Sequence, residues 1–497
     1  MNLIPETIPC TGDYYCTWAT QARVRPADMA DDSLDVRNNL DEEFLFGKNG
    51  VIGDYFQLIR RDLIVLLDDG WDVPKGTKNP EDRGRFGSLM PDAARFPFCS
   101  GSRADRLSAI SHRIKSLGYK GAGLWIACQR PGEIKPGHVP VEEDRPFWEA
   151  AARDSHEAGI LYWKVDWGNY CNSADYRRMM TESVRRYAPG LLIEHFPAGM
   201  YPPFGKYIYS LDRLSDDEDS FNRRIAAASD YLRTYDVKNE FKYSQTLNRI
   251  ALLGEGISGS TVKLNVEDCM YLGAGLGCSV GIMRHNRFAP GRESFDTANY
   301  AEVARTVRWH RIAPPFALAE AGLSVADELL YDRCTFPPRE IDVWPFVAGK
   351  TLESPAPSAI SRGCPLPVVT AAVKPFVAAS HHPETGAYSI AALPRTVDGV
   401  FMKPFPADVT ASGVSPDAPV GIFGRYRRLA LRFDRCVEGR RVYAQDLLSD
   451  QALDVTGRVG LSDCELVIPG GLIDSLCDAN RAAGDNSDPG IVLRLGE

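Results

Sequence analysis

Short apolar runs recur along the first two thirds of the chain, separated by stretches whose apolar positions fall at helical spacing. The runs are Tyr14 to Trp18, Leu63 to Leu67, Gly121 to Ile126, Ile160 to Val165, Leu191 to Glu194 and Tyr207 to Leu211. Weaker ones follow at Thr261 to Leu264 and Cys278 to Met283. Between them, Leu107, Ile110, Ile114 and Leu117 trace a helix face, with Ser102 as N-cap, Asp105 three residues on and Gly118 at the exit. The segment Pro146 to Ala158 opens with proline in its first turn and stops at Gly159; Ala174 to Tyr187 follows Ser173 and ends before Pro189. Nearly continuous apolar strands, each followed by a helix, imply a parallel sheet with helices outside. Eight such units favour a closed (β/α)8 TIM barrel over an open dinucleotide-binding sheet, whose glycine fingerprint is missing after the first strand.

From about residue 335 the texture changes. Pro337-Pro338, Pro355-Ala356-Pro357 and Pro365-Leu366-Pro367 punctuate the chain, after which Leu429, Leu431 and Phe433 alternate with Ala430 and Arg432. Ser389 to Leu393, Arg441 to Gln445 and Glu465 to Ile468 read as similar short strands, and Asp478 to Gly490 as a surface loop. The expected division is a barrel over residues 1–330 and an antiparallel β-sandwich over residues 335–497.

Composition narrows the function. A net charge of -9 repels nucleic acid and anionic membranes, so neither is an expected partner. No window offers about 18 uncharged apolar residues. The N-terminus lacks a basic segment followed by an apolar stretch. The twelve cysteines show no CxxC spacing, which suits reduced thiols and a cytoplasmic enzyme without disulfide framework, zinc or other cofactor. A homo-oligomer is compatible with the sequence. His381-His382 reads as surface, and Trp148 and Trp309, inside predicted helices, as core.

Charged groups gather where the runs end. Asp68-Asp69 follow the second, Trp125 lies in the third, Lys164 and Asp166 end the fourth, Glu194 the fifth, and Arg213, Asp216 and Asp217 follow the sixth. In a barrel these positions share one rim and face one another. Carboxylates with one lysine and one arginine among tryptophans suit a neutral polyhydroxylated ligand: charged groups bond its hydroxyls and indole faces cover its apolar side. A pyranose fits. Taken singly, Lys-x-Asp is an ordinary structural ion pair, Asp68-Asp69 a cap, and His195 a hydrogen-bonded structural imidazole.

In this order the motifs resemble the retaining α-galactosidases of glycoside hydrolase clan D, families 27 and 36: Lys164-x-Asp166, Asp68-Asp69-Gly70-Trp71, Gly123-Leu124-Trp125, Ser215-Asp216 and Tyr15-Cys16-Thr17-Trp18. The resemblance spans most of residues 10–320. It implies Asp166 as nucleophile and Asp216 as acid and base, with Asp217 as the alternative acid. It also implies Asp68 and Asp69 on O4 and O6 of a galactose-like sugar, Lys164 on O3 or O4, Glu194 and Arg213 beside O2, and Trp18 and Trp125 along the ring. Gly168 and Glu194-His195-Phe196-Pro197 depart from the family patterns, which leaves the sugar open among a galactoside, a β-L-arabinopyranoside and an unusual or modified sugar. A transglycosylase would use the same covalent intermediate. Two other classes are compatible with the residues. One is a Mg²⁺-dependent barrel lyase or isomerase, with Asp166, Glu194 and Asp217 on the metal and Lys164 as base. The other is a sugar-binding module without turnover.

Overall fold

The structure is a computed structural model that describes residues 1–24, 32–48, 50–79, 81–133, 137–197, 200–201, 205–206, 218–234, 239–283, 293–336, 338 and 348–496. Its first sheet is built from eight parallel strands: β1 (Tyr14–Cys16), β2 (Ile64–Leu67), β3 (Gly121–Ile126), β4 (Tyr162–Val165), β5 (Leu192–His195), β6 (Tyr231–Arg233), β7 (Lys263–Asn265) and β8 (Gly281–Ile282). Neighbours pair in sequence order and β8 returns to β1. A parallel bridge between Asn265 and Ser279 joins the remaining edges, so the sheet closes into a barrel.

The apolar runs become strands because both of their faces are covered. Tyr14, Cys16, Ile64, Leu66, Trp125, Tyr162 and Tyr231 pack inside the barrel as one cluster. Their alternates Tyr15, Val65, Leu67, Leu124, Trp163, Ile193 and Leu232 pack outward under the helices. The helix Arg103–Ser116 carries the expected capping box between Ser102 and Asp105. Ser173 caps Ala174–Tyr187 by accepting from the backbone N–H of Tyr176.

Two expectations change. The sixth place is taken by Tyr231–Arg233, which pairs directly with β5 through Glu194 and His195; the run Tyr207 to Leu211 lies outside the described residues. The helix after β3 begins at Val141, not Pro146, because Glu142, Glu143 and Asp144 supply the negative first turn that a helix N-terminus favours. Pro146 then lies inside it.

The β-rich C-terminal region holds an eight-stranded and a five-stranded sheet whose inner residues, among them Val377, Ile390, Val409, Leu429, Leu466 and Leu493, share one core. The sandwich is mixed: Ala359–Arg362 with Phe376–His381, Tyr388–Leu393 with Val420–Phe423, and Ala407–Val414 with Tyr426–Phe433 pair in parallel. Leu323–Val325 already belongs to its larger sheet. Buried Arg305 fastens the helix Glu293–Trp309 to this region, with Nε 2.9 Å from Asp446 Oδ1. His382 is buried, not superficial, and hydrogen-bonds the Pro314 carbonyl through Nε2 at 2.9 Å. Trp148 and Trp309 are core. Among the described residues no helix is long and apolar enough to cross a membrane.

Candidate active site

Alternation along β4 sets the depth of the site. Tyr162, Lys164 and Asp166 point into the barrel at successive levels, while Trp163 and Val165 join the outer cluster. The lowest level is a polar floor. Tyr162 Oη donates to Glu194 Oε2 at 2.8 Å, Asn265 Nδ2 donates to the same oxygen at 2.7 Å, and Tyr14 Oη donates to Glu267 Oε1 at 2.8 Å. Arg233, buried at the end of β6, lies 3.5 Å from Glu194 Oε1 and 3.4 Å from Glu267 Oε2.

Lys164 occupies the next level, with Nζ 3.2 Å from both Asp68 Oδ2 and Glu267 Oε1. The Cys16 thiol donates to the same Asp68 oxygen at 2.9 Å. Burial by itself would lower the lysine pKa, but the pull of Asp68, Cys16 and Glu267 outweighs it and holds the ammonium well above its ordinary range. Lys164 is therefore a fixed cation and does not suit the base role in the lyase reading.

Asp166 stands at the mouth. The indole N–H of Trp125 donates to Oδ2 at 3.0 Å, and Arg233 approaches Oδ1 at 3.2 Å. Its side chain is 13% exposed, against 5% for Asp68 and 1% for Glu194, which makes it the most open carboxylate of the three. Trp167 sits beside Trp125, with ring centroids 5.3 Å apart, and Trp18 packs against the same inner cluster. Asp69 turns sideways to Arg37, 2.8 Å from its Nε, and its buried Oδ1 has no hydrogen-bond partner.

The backbone behind Asp166 is fixed from outside the barrel. Buried Arg177 donates to the carbonyls of Val165 at 3.2 Å, Asp166 at 3.1 Å and Cys171 at 2.7 Å. It also donates to His195 Nδ1 at 3.0 Å, which leaves the proton on Nε2, 2.9 Å from Thr181 Oγ1. Burial and then the charge of Arg177 hold the His195 imidazole far below its usual pKa. His195 is a neutral structural group. Gly168 has a comparable cause: a Cβ there would sit 2.5 Å from the backbone nitrogen of Cys128.

The structure thus brings together Asp68, Asp69, Trp125, Lys164, Asp166 and Trp18. Glu194 is 1% exposed; Tyr162 and Asn265 donate to its Oε2, and Arg233 lies 3.5 Å from its Oε1. Arg213, Asp216 and Asp217 lie outside the described residues. Arg233, Glu267, Arg37 and Trp167 are additions. Glu267 and Asp268 after β7 repeat the pattern of Asp68 and Asp69 after β2, a signal the sequence carries. Among the described residues no three His, Cys, Asp or Glu side chains are arranged to hold a metal ion.

Burial dominates the titration of this site. It pushes the carboxyl pKa of Asp69 up to about 7 against the opposing pull of Arg37, that of Glu194 to about 7 against Arg233, and that of Asp72 to about 6. Their ordinary values are 3.8 for Asp and 4.5 for Glu, so between roughly pH 4 and 7 the folded chain holds protons that the unfolded chain has released. Stability must fall as pH rises through that window. Asp13 acts in the opposite sense. Although burial raises its pKa, His310 at 2.7 Å and hydrogen bonds from Val280 and Ser279 bring it below 3.8, so its contribution is present above that pH and lost on acidification. The melting temperature is expected to be highest near pH 4, where that window opens, and to decline toward pH 7.5. A rising profile across pH 5 to 7, measured by calorimetry, would contradict these assignments.

Comparison with known proteins gives likenesses in three dimensions only. No protein-family model matches the chain, and no curated protein does. Among solved structures, a GH27 β-L-arabinopyranosidase from Geobacillus stearothermophilus, in complex with arabinose, aligns over 92% of this chain and 94% of its own at 11% identity, with a TM-score of 0.41. A Bacteroides fragilis protein assigned as an α-galactosidase aligns over 98% and 79% at 11% identity, with a TM-score of 0.44. A Bacillus halodurans protein assigned as an α-N-acetylgalactosaminidase aligns over 93% and 94% at 12% identity, with a TM-score of 0.40.

Proposed function

We propose that this chain is a retaining exo-glycosidase that releases terminal α-galactose-like residues through a covalent glycosyl-aspartate. The observation that carries the reading is the setting of Asp166: a partly open carboxylate at a barrel strand end, with an indole N–H donating to one oxygen, a guanidinium at ion-pair distance from the other and tryptophans beside it. An indole N–H and a guanidinium fix the direction of attack, as a nucleophile in an enclosed site requires.

In this reading the sugar lies over Trp125 and Trp18. Its hydroxyls reach the Asp68–Lys164 pair and the unpartnered oxygen of Asp69. Asp166 attacks the anomeric carbon while Asp216 gives its proton to the leaving oxygen. Asp216 then takes a proton from water, which attacks the anomeric carbon and displaces Asp166. A sugar hydroxyl in place of water gives transglycosylation.

A panel of 4-nitrophenyl α- and β-glycosides, with the first-formed anomer read by NMR, tests the proposal. The expected outcome is release from the α-galactoside or the β-L-arabinopyranoside with retained configuration, insensitive to chelator. Inverted product, or no turnover of any glycoside, would refute it.

A further inference from the structure

The cations around the site are nearly all committed. Arg37 pairs with Asp69, Lys164 with Asp68 and Glu267, Arg233 with Asp166, and Arg130 with Asp144. Arg83 differs. It opens the turn Arg83–Arg85 after β2, and its backbone is pinned: its carbonyl accepts from Gln129 Nε2 at 2.7 Å, and the next carbonyl, of Gly84, accepts from Gly132 N at 2.8 Å. Its guanidinium lies over the ring of Trp167, 5.6 Å from the centroid. That ring is half-buried between Phe86 and Trp125, whose N–H holds Asp166.

Among the described residues no carboxylate lies within ion-pair distance of Arg83, and its Nε is buried without a hydrogen-bond partner. The neighbouring Arg85 takes Asp82 at 3.4 Å. A half-buried guanidinium held over an indole, with no carboxylate beside it among the described residues, is arranged to receive an anion. The surroundings sharpen the point. Arg37, Lys164 and Arg233 are already paired with the carboxylates of the site, so the cation that a negatively charged substrate would meet beside Trp167 is Arg83.

Resting on the glycosidase reading, we propose that the natural substrate carries an anionic group, a carboxylate or a sulfate ester, that Arg83 binds beside Trp167. The group belongs either to the terminal sugar or to the leaving group, and the two sources separate experimentally. The probes are 4-nitrophenyl α-galactoside, its 6-sulfate, the corresponding α-galacturonide, and a neutral α-galactoside with a carboxylated aryl leaving group. Wild type is expected to favour at least one acidic probe in kcat/KM. Arg83→Gln should lower the acidic-to-neutral ratio on the order of 10- to 100-fold, the range of a lost charge-assisted hydrogen bond, with Arg83→Lys retaining part of it. The preference should shrink with added salt.

Equal use of acidic and neutral probes by wild type, or an equal loss on both in Arg83→Gln, would overturn the proposal and make Arg83 a solvated or structural residue. Calorimetric binding of galacturonate, galactose 6-sulfate and galactose to Asp166→Asn reads the same preference without turnover. Acid-selective binding that Arg83→Gln removes, in a protein that hydrolyses no probe, keeps this inference and sinks the hydrolase. Absence of both binding and turnover sinks both.

Discussion

Replacing Asp166 by alanine is expected to lower kcat by about 10⁴-fold or more, because the step that forms the glycosyl bond to the enzyme loses its nucleophile. The fold should survive. The carboxylate is partly open, and its removal leaves Arg233 still paired with Glu194 and Glu267. Azide is small enough to enter the vacated space, and rescue should give the glycosyl azide of inverted configuration from a substrate with a good leaving group. Circular dichroism and the melting temperature distinguish lost chemistry from lost structure. Turnover within tenfold of wild type would assign the reaction to another residue.

Arg233→Met is the second large effect, and it acts on stability as well as rate. The guanidinium is 1% exposed and lies within 3.5 Å of three carboxylates, Asp166, Glu194 and Glu267. Methionine fills much of the volume but leaves those acids to Lys164, which Asp68 already shares. Breaking a buried charge arrangement from one side typically costs about 3 to 5 kcal/mol, more than the pair contributes net, because the orphaned charge remains buried. Urea unfolding should show that loss, and kcat should fall with it as Asp166 loses its guanidinium partner. Adding Glu194→Gln should restore part of the stability, since the double variant no longer buries that acid without its cation. A single variant within 1 kcal/mol of wild type, or a strictly additive double, would show that the arginine is not the centre of the floor.

These residues also mark what could be read without coordinates. Strands β1 to β5 were legible because their runs are apolar and bounded, and the charged strand ends, Lys164 and Asp166 among them, were legible because they stand where a run stops. The sixth strand was not legible. Tyr231–Arg233 is three residues long and ends in a charge, so it scores below the more apolar Tyr207 to Leu211. A charged residue in a barrel strand is intelligible only when Glu194 and Glu267 are known to face it, and that is a nonlocal fact. The surroundings of Glu194 are nonlocal in the same way: its tyrosine and asparagine partners come from strands up to 180 residues away in sequence. Arg83 and Trp167 look like ordinary surface residues until one lies on the other.

The polar floor constrains how this site can diverge. Rim segments such as those bearing Arg83 and Trp18 can be exchanged by descent one at a time, because each follows a strand of its own. Tyr14, Tyr162, Glu194, Arg233, Asn265 and Glu267 come from five strands and their ends and are joined by hydrogen bonds and ion pairs, so a change in one leaves a neighbour's proton or charge stranded. Selection can therefore retune specificity at the lip while the base of the barrel passes down as a single inherited unit, altered together or not at all.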